Sequence, residues 1–354
     1  MYAIEKILLQ QTTKPTTSIL VIYTGGTFGM QYDEDGQLKA SFNFMSLEED
    51  LPEINRLPVE LSILQMPHLI DSSDMSPAYW LSLVDIIKQY QADYDAFIIL
   101  HGTDTMSYTA SVLSFLIQSF PKPIILTGAL LPLGAVRNDA RENLITSIEL
   151  ATTKRENGKA AIQEVVICFN NEIIRGNRST KVNTDHFDAF ESPNYPLLAE
   201  SGAEIIIYDD AQLQIEPKEP VFLSGMEENV FLIRLFPGIP QNVLDGVLAM
   251  KLKGLVIETY GNGNMSSEAR IKEWARELVK QGVLVVSISQ CMQGTVEQGK
   301  YEASRWLDQI GVVDGKDMTA EGALTKMMIV LGNYPVENNK DYFLQSICGE
   351  ITIS

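Results

Sequence analysis

The chain has 354 residues, and two domains are expected, because a single core rarely grows to that size. Hydrophobic residues make up 45% and charged residues 21%, an ordinary globular composition with enough apolar side chains for two cores. Acidic residues outnumber basic ones 46 to 27, a net charge of -19, which repels phosphate backbones and anionic headgroups and sets aside nucleic-acid and membrane roles.

At the N-terminus, the first eighteen residues lack a basic region followed by an extended apolar one, so they do not read as a signal peptide. No later apolar run is long enough to span a bilayer, and a soluble, cytoplasmic protein is expected. The three cysteines (Cys168, Cys291, Cys348) argue against a disulfide scaffold. Short, nearly continuous apolar runs follow in order at 18–23 (SILVIY), 97–100, 123–126, 165–169, 230–236, 254–257 and 283–287. Their length and β-branched content read as strands buried on both faces. Helical spacing of apolar residues recurs at 77–90, 107–120, 140–151 and 268–280. Strand alternating with helix predicts an α/β fold with parallel sheets. A polar, Pro-containing stretch near 205–225 divides the chain. The expectation is a larger N-terminal parallel-sheet domain (1–205), a linker (206–225) and a smaller C-terminal Rossmann-like parallel-sheet domain (226–354).

The residues just after the strands carry the chemistry, since open parallel sheets bind ligands at the carboxyl ends of their strands. The first run leads into Thr24-Gly25-Gly26-Thr27. Its bland reading is a plain turn; the alternative is a glycine-freed loop presenting the Thr27 hydroxyl. The G-x-G-x-x-G and Walker spacings are absent here, and Gly261-Asn262-Gly263 misses the former because Ser266 stands where the third glycine belongs. Nucleotide binding is therefore not expected. In Asp71-Ser72-Ser73-Asp74-Met75-Ser76-Pro77, Ser76 and Pro77 read as a helix start. That leaves Asp71 and Ser72 free to grip the ammonium and carboxylate of an amino acid. His101-Gly102-Thr103-Asp104-Thr105 sets a hydroxyl beside a carboxylate where a strand gives way to a helix; helix capping is the bland alternative. His101 is given no catalytic role. The three histidines (His68, His101, His186) have no i,i+4 histidine partner or cysteine cluster, so neither a triad nor a metal site is expected. Arg175–Lys181 (RGNRSTK) is the one dense basic stretch in an acidic chain. It reads either as a solvated loop or as a segment whose Lys181, if desolvated, activates a threonine.

Taken together, YTGGTFGM (23–30), DSSDM (71–75), HGTDTMSYTAS (101–111), RGNRSTK (175–181), FDAFESPN (187–194), YGNGN (260–264) and QCMQG (290–294) resemble the type I, cytoplasmic L-asparaginases of the threonine-nucleophile asparaginase family. The match in order and spacing runs from about residue 18 to the C-terminus. The resemblance implies hydrolysis of L-asparagine to L-aspartate and ammonia through an acyl-threonine on Thr27. Thr103, Asp104 and Lys181 would be the second catalytic group. Asp71, Ser72 and Ser73, with Thr103 and Asp104, would hold the substrate. It also implies a homodimer or homotetramer, with Asn264 reaching a neighbour's site, and no cofactor or metal.

Two departures from the family pattern stand out. A tyrosine often found on the loop after TGGT is replaced here by Gln37, with Tyr32 nearby, so which group activates Thr27 stays open. Where allosteric bacterial members carry an arginine before the YG motif, this chain has Glu258, which predicts weak or absent activation by asparagine. Two other readings stand beside the hydrolase. An asparaginase-like subunit of a tRNA-dependent amidotransferase is disfavoured by charge. A non-catalytic amino-acid sensor would not need Thr27, Thr103 and Lys181 together.

Overall fold

A computed structural model describes residues 4–7, 9, 14–32, 38–40, 47–214, 218–298 and 302–353. The chain divides into two compact units, Met1–Ser192 with Pro196–Phe222, and Pro193–Tyr195 with Leu223–Ser354.

The first unit is built on a nine-stranded sheet. Its strands are β1 (Ile4–Lys6), β2 (Thr17–Tyr23), β3 (Val59–Gln65), β4 (Ala96–Leu100), β5 (Ile124–Thr127), β6 (Val165–Phe169), β7 (Glu172–Arg175), β8 (Ala199–Ser201) and β9 (Ile205–Ile207). They lie in the order β1-β3-β2-β4-β5-β6-β7-β8-β9. The five central strands, β3 to β6, run parallel. The marginal strands β1, β7, β8 and β9 pair antiparallel. Parallel neighbours need crossover connections that cover both faces, and the centre is correspondingly dry: Ile19, Leu20, Ile22 and every residue of β4 are 0% exposed.

The apolar runs of the sequence become these central strands. Strand β3 was not among the expected ones, because Glu60, Ser62 and Gln65 interrupt its apolar residues; Ser62 is nevertheless fully buried. Helix α1 (Pro77–Tyr90) starts at the predicted Pro77 with Ser76 before it, although the Ser76 side chain makes no capping bond. Helix α2 spans Met106–Leu116, shorter than the predicted 107–120. Ile117 and Gln118 leave it to pair with Phe222 and Val221, and Ser119 turns with φ 55°. Helix α3 (Ala140–Thr152) packs beside β5 and β6.

The second unit holds a four-stranded, all-parallel sheet of β10 (Val230–Arg234), β11 (Gly254–Thr259), β12 (Leu284–Ser289) and β13 (Val313–Asp314), adjacent in sequence order. Helices α4 (Gln241–Ala249), α5 (Ala269–Lys280) and α6 (Glu302–Ile310) accompany it, with α7 (Ala320–Asn333) to their C-terminal side. One apolar cluster joins Leu244, Trp274 and Leu278 to Leu255, Ile257 and Val285 of the sheet. A second joins Met327 and Phe343 to Val256, Val286 and Ile288. The alternation of odd and even strand residues between the clusters is the period-two signature of a sheet covered on both faces. The C-terminal segment is tied down by Lys326, whose ammonium pairs with Glu350 with neither side chain exposed (0% each). That ammonium also donates to the carbonyls of Phe343 and Gln345 at 2.7 and 2.6 Å. A buried pair persists only when its remaining polar valences are filled in this way. Among the described residues, no helix is long and apolar enough to cross a membrane.

Candidate active site

Strand β2 ends at Tyr23, and the next residue joins three segments. Thr24 donates through both its amide and its hydroxyl to the Leu100 carbonyl at the end of β4, each at 3.0 Å. Its own carbonyl accepts from the Ile70 amide at 3.0 Å and from the Tyr79 hydroxyl at 3.3 Å. Gly25 and Gly26 follow with φ of 124° and 83°, values that favour glycine. Space excludes side chains there as well. A Cβ on Gly25 would run into the Ile70 carbonyl, and one on Gly26 would lie 2.6 Å from Gly102 Cα. Just before Thr27, Gly25 thus lets the β2 loop touch the backbone at Ile70, beyond β3, and Gly26 lets it touch the β4 loop at Gly102. Thr27 opens a single 3-10 turn (Thr27–Gly29) and is half-buried, with Phe28 behind it 1% exposed. Beneath the loop, Tyr23 donates to the Gly26 carbonyl at 3.4 Å, and burial pushes its phenol up to about 12.

The β4 loop carries Thr103 and Asp104, and both meet Lys181. The Lys181 ammonium donates to Thr103 Oγ1 at 2.9 Å and to Asp104 Oδ1 at 2.6 Å. The lysine side chain is 16% exposed and the aspartate 62%, so the cation is the more buried member of the pair. A threonine oxygen that accepts from an ammonium keeps its own hydrogen for another partner, and the cation favours negative charge on that oxygen. Lys181 lies on a two-residue strand, Thr180–Lys181, paired with Phe190–Glu191. The segment leading to it is anchored in the core, contrary to its bland reading as a solvated loop: Arg175, Asn177, Arg178 and Ser179 are all buried. Arg175 forms an ion pair with Glu164 at 2.6 Å, their side chains 2% and 5% exposed.

The third segment, 71–74, abuts the second. A Cβ on Gly102 would lie 2.6 Å from Ser72 Oγ, and Thr105 donates its hydroxyl to the Ser72 carbonyl at 2.6 Å. Ser72 is buried, while Asp71 and Ser73 are exposed. Asp71 is not left free as the sequence suggested. It caps the short turn Ser72–Asp74, accepting from the Ser73 amide at 2.9 Å and the Ser73 hydroxyl at 2.8 Å. These bonds, the amide first, hold its carboxyl below the usual range, so it presents a carboxylate. The first unit therefore brings the backbone segments bearing Thr27, Ser72 and Thr103 into contact, with Asp71 and Ser73 adjoining Ser72 and with Asp104 and Lys181 at Thr103. Sequence reading overlooked Thr24 and Glu164, whose parts in joining the segments show only once their partners are known.

Tyr32 pairs with Leu38 in a short antiparallel ribbon, whereas Gln37 lies outside the described residues. In the second unit, Asn264 closes a tight loop through bonds to Tyr260 of 2.8 and 2.9 Å. Its side-chain Oδ1 is buried with no partner among the described residues. Glu258 on β11 faces Arg234 on β10 at 3.8 Å; burial raises its carboxyl, and the arginine draws it back.

Residues 18–213 match the family model described as "Asparaginase, N-terminal", and residues 229–343 match "Glutaminase/Asparaginase C-terminal domain". The chain is 37% identical over 344 residues to "L-asparaginase 1" of Escherichia coli (strain K12), covering 95% of this chain and 98% of that protein. Among solved structures, L-asparaginase I of Vibrio cholerae superposes with a TM-score of 0.85 at 34% identity, covering 95% of this chain and 99% of that one. A glutamyl-tRNA(Gln) amidotransferase subunit of Archaeoglobus fulgidus is 31% identical over 352 residues, covering 94% of this chain and 79% of that protein.

Proposed function

The chain belongs to the asparaginase family, and on that premise we propose that it hydrolyses L-asparagine to L-aspartate and ammonia. The observation that carries the reading is the Lys181 ammonium held between Thr103 Oγ1 and Asp104 Oδ1, at 2.9 and 2.6 Å, on a loop touched by the Gly25-Gly26 turn that precedes Thr27. In this reading Thr27 Oγ1 attacks the side-chain amide carbon. Its proton passes to the departing nitrogen, ammonia leaves, and water then releases aspartate from the acyl-threonine. Thr103, Asp104 and Lys181 form the proton-handling group. The carboxylates of Asp71 and Asp104 receive the substrate ammonium, and Ser72 and Ser73 the α-carboxylate side. Backbone donors near Thr103 stabilise the tetrahedral oxyanion, a contribution of about 3–4 kcal/mol for one donor. We place the enzyme in the cytoplasm as a homodimer or homotetramer, with Asn264 offered to a neighbour's site.

Ammonia release from purified protein and asparagine, without ATP or tRNA, tests this. Thr27→Ala and Thr103→Ala should each abolish turnover with unchanged thermal melting. Near-normal activity in Thr27→Ala would remove the proposed nucleophile. Asparagine binding with no ammonia would favour the sensor, and ammonia only in the presence of tRNA the amidotransferase component.

A further inference from the structure

His101, set aside from the chemistry above, is fully buried beside the site with both ring nitrogens engaged. Nδ1 lies 2.6 Å from the Gly102 carbonyl oxygen, and Nε2 lies 2.9 Å from Thr109 Oγ1. That same hydroxyl oxygen accepts from the Trp80 indole N–H at 2.9 Å. The proton positions follow by elimination. An indole N–H only donates, so Thr109 accepts from Trp80 and directs its single hydrogen to His101 Nε2. A carbonyl only accepts, so the imidazole hydrogen sits on Nδ1. The opposite tautomer would set a lone pair against the Gly102 oxygen and strand the Thr109 hydrogen at a residue that is 0% exposed. Burial also pushes the imidazole down to about 4, keeping it neutral at physiological pH.

In a trans peptide the N–H points opposite to the C=O, and the described chain has no cis bond. A ring that pins the Gly102 carbonyl therefore also fixes the direction of the Thr103 amide, away from the ring. No acceptor among the described residues takes that amide hydrogen. Helix α1 supplies Trp80 and helix α2 supplies Thr109, so two packed helices hold the ring in place.

We propose that His101 is a positioning residue: through Nδ1–H it holds the Gly102–Thr103 peptide so that the Thr103 N–H stands ready for the oxyanion of the substrate amide. The inference rests on the amidohydrolase reading, and its test separates the two. Asparagine's amide nitrogen falls near the place of Nδ1 and glutamine's near that of Nε2. His101→Asn keeps the donor to Gly102 and His101→Gln loses it. The expected kcat of His101→Gln is about tenfold below that of His101→Asn, with KM in both within about threefold of the parent, because a misdirected transition-state donor is felt in kcat. If His101→Gln does not fold, Thr109→Val against Thr109→Ser replaces the pair, with the same direction expected. Independently of activity, protein labelled with ¹⁵N at histidine and threonine should show a pyrrole-type Nδ1 and a pyridine-type Nε2 at neutral pH. The Thr103 amide cross-peak should move further in His101→Gln than in His101→Asn. An Nε2–H tautomer, equal kcat in the two variants, or losses confined to KM would overturn the proposal. Absence of asparagine hydrolysis in the parent protein, with the labelled spectra as expected, would instead overturn the functional reading.

Discussion

Two of the three ammonium hydrogens of Lys181 go to Thr103 Oγ1 and Asp104 Oδ1, and that division determines what its loss should do. Methionine keeps the length of the stem and removes the charge. Asp104 is 62% exposed and is rehydrated when the cation goes, so its side chain stays open to a substrate ammonium. Lys181→Met is therefore expected to lower kcat by about 10²-fold or more while KM changes little, measured by steady-state ammonia release. A loss carried mainly in KM would move Lys181 to substrate binding. His101 gives a second prediction, on stability. Its folded pKa is depressed from 6.5 to about 4, so between those values the unfolded chain binds a proton that the folded chain does not. Stability from this residue is present above pH 6.5 and is lost as pH falls toward 4, amounting to about 2 kcal/mol by about pH 5. Urea midpoints at pH 7 and 5 should draw apart less in His101→Asn than in the parent. Thr103-Asp104 and Lys181 each marked themselves in the sequence, as a strand end before a helix and as a lone basic stretch. Only the family resemblance implied that they act as one group, and their contact is a matter of the fold. The histidine did not mark itself, since its value depends on Thr109 and Trp80 from neighbouring helices.

Segments rather than single side chains decide where Lys181 stands. Glu164 precedes β6 and Arg175 ends β7, and their buried ion pair closes that hairpin. It also reaches a further segment: the Leu213 amide donates to Glu164 at 3.0 Å, and Arg175 donates to the Ala211 carbonyl at 2.9 Å. Removing one partner leaves the other charge buried, at a cost of about 3–5 kcal/mol, whereas removing both and filling the volume with apolar groups costs far less. Glu164→Leu should accordingly lower the melting temperature by roughly 10 °C, and the double variant Glu164→Leu/Arg175→Met should recover much of that loss in the same thermal melts. Equal melting of the single and double variants would mean that the pair is not what holds the hairpin. Sequence reading took Arg175 as part of a basic patch because charge is visible in a sequence and burial is not; its partner lies eleven positions upstream. The Gly25-Gly26 turn was legible as a turn, but its purpose was not. Only the fold brings Ile70 and Gly102 against those two residues.

At the scale of the molecule, the central parallel strands were readable because burial on both faces demands unbroken apolar runs. The marginal strands were not. Ile4–Lys6, Ala199–Ser201 and Ile205–Ile207 are three residues each, too short for any periodicity to register. Charge is the other global property, and here structure sharpens what composition began. Binding of nucleic acid is driven by counterion release and needs exposed lysines and arginines grouped along a phosphate track. The net charge is -19, and the densest basic stretch, 175–181, faces inward. Arg175 and Arg178 are 2% and 1% exposed, and the Lys181 side chain is 16% exposed with its ammonium already engaged by Asp104. The three basic residues of that stretch are thus turned into the fold and the site and away from a phosphate track. Filter binding of labelled tRNA at low and at physiological salt should show no retention, and ammonia release from asparagine should proceed at the same rate with or without tRNA and ATP. Micromolar tRNA affinity that weakens steeply with added salt would reveal a basic track elsewhere on the chain and revive the amidotransferase reading.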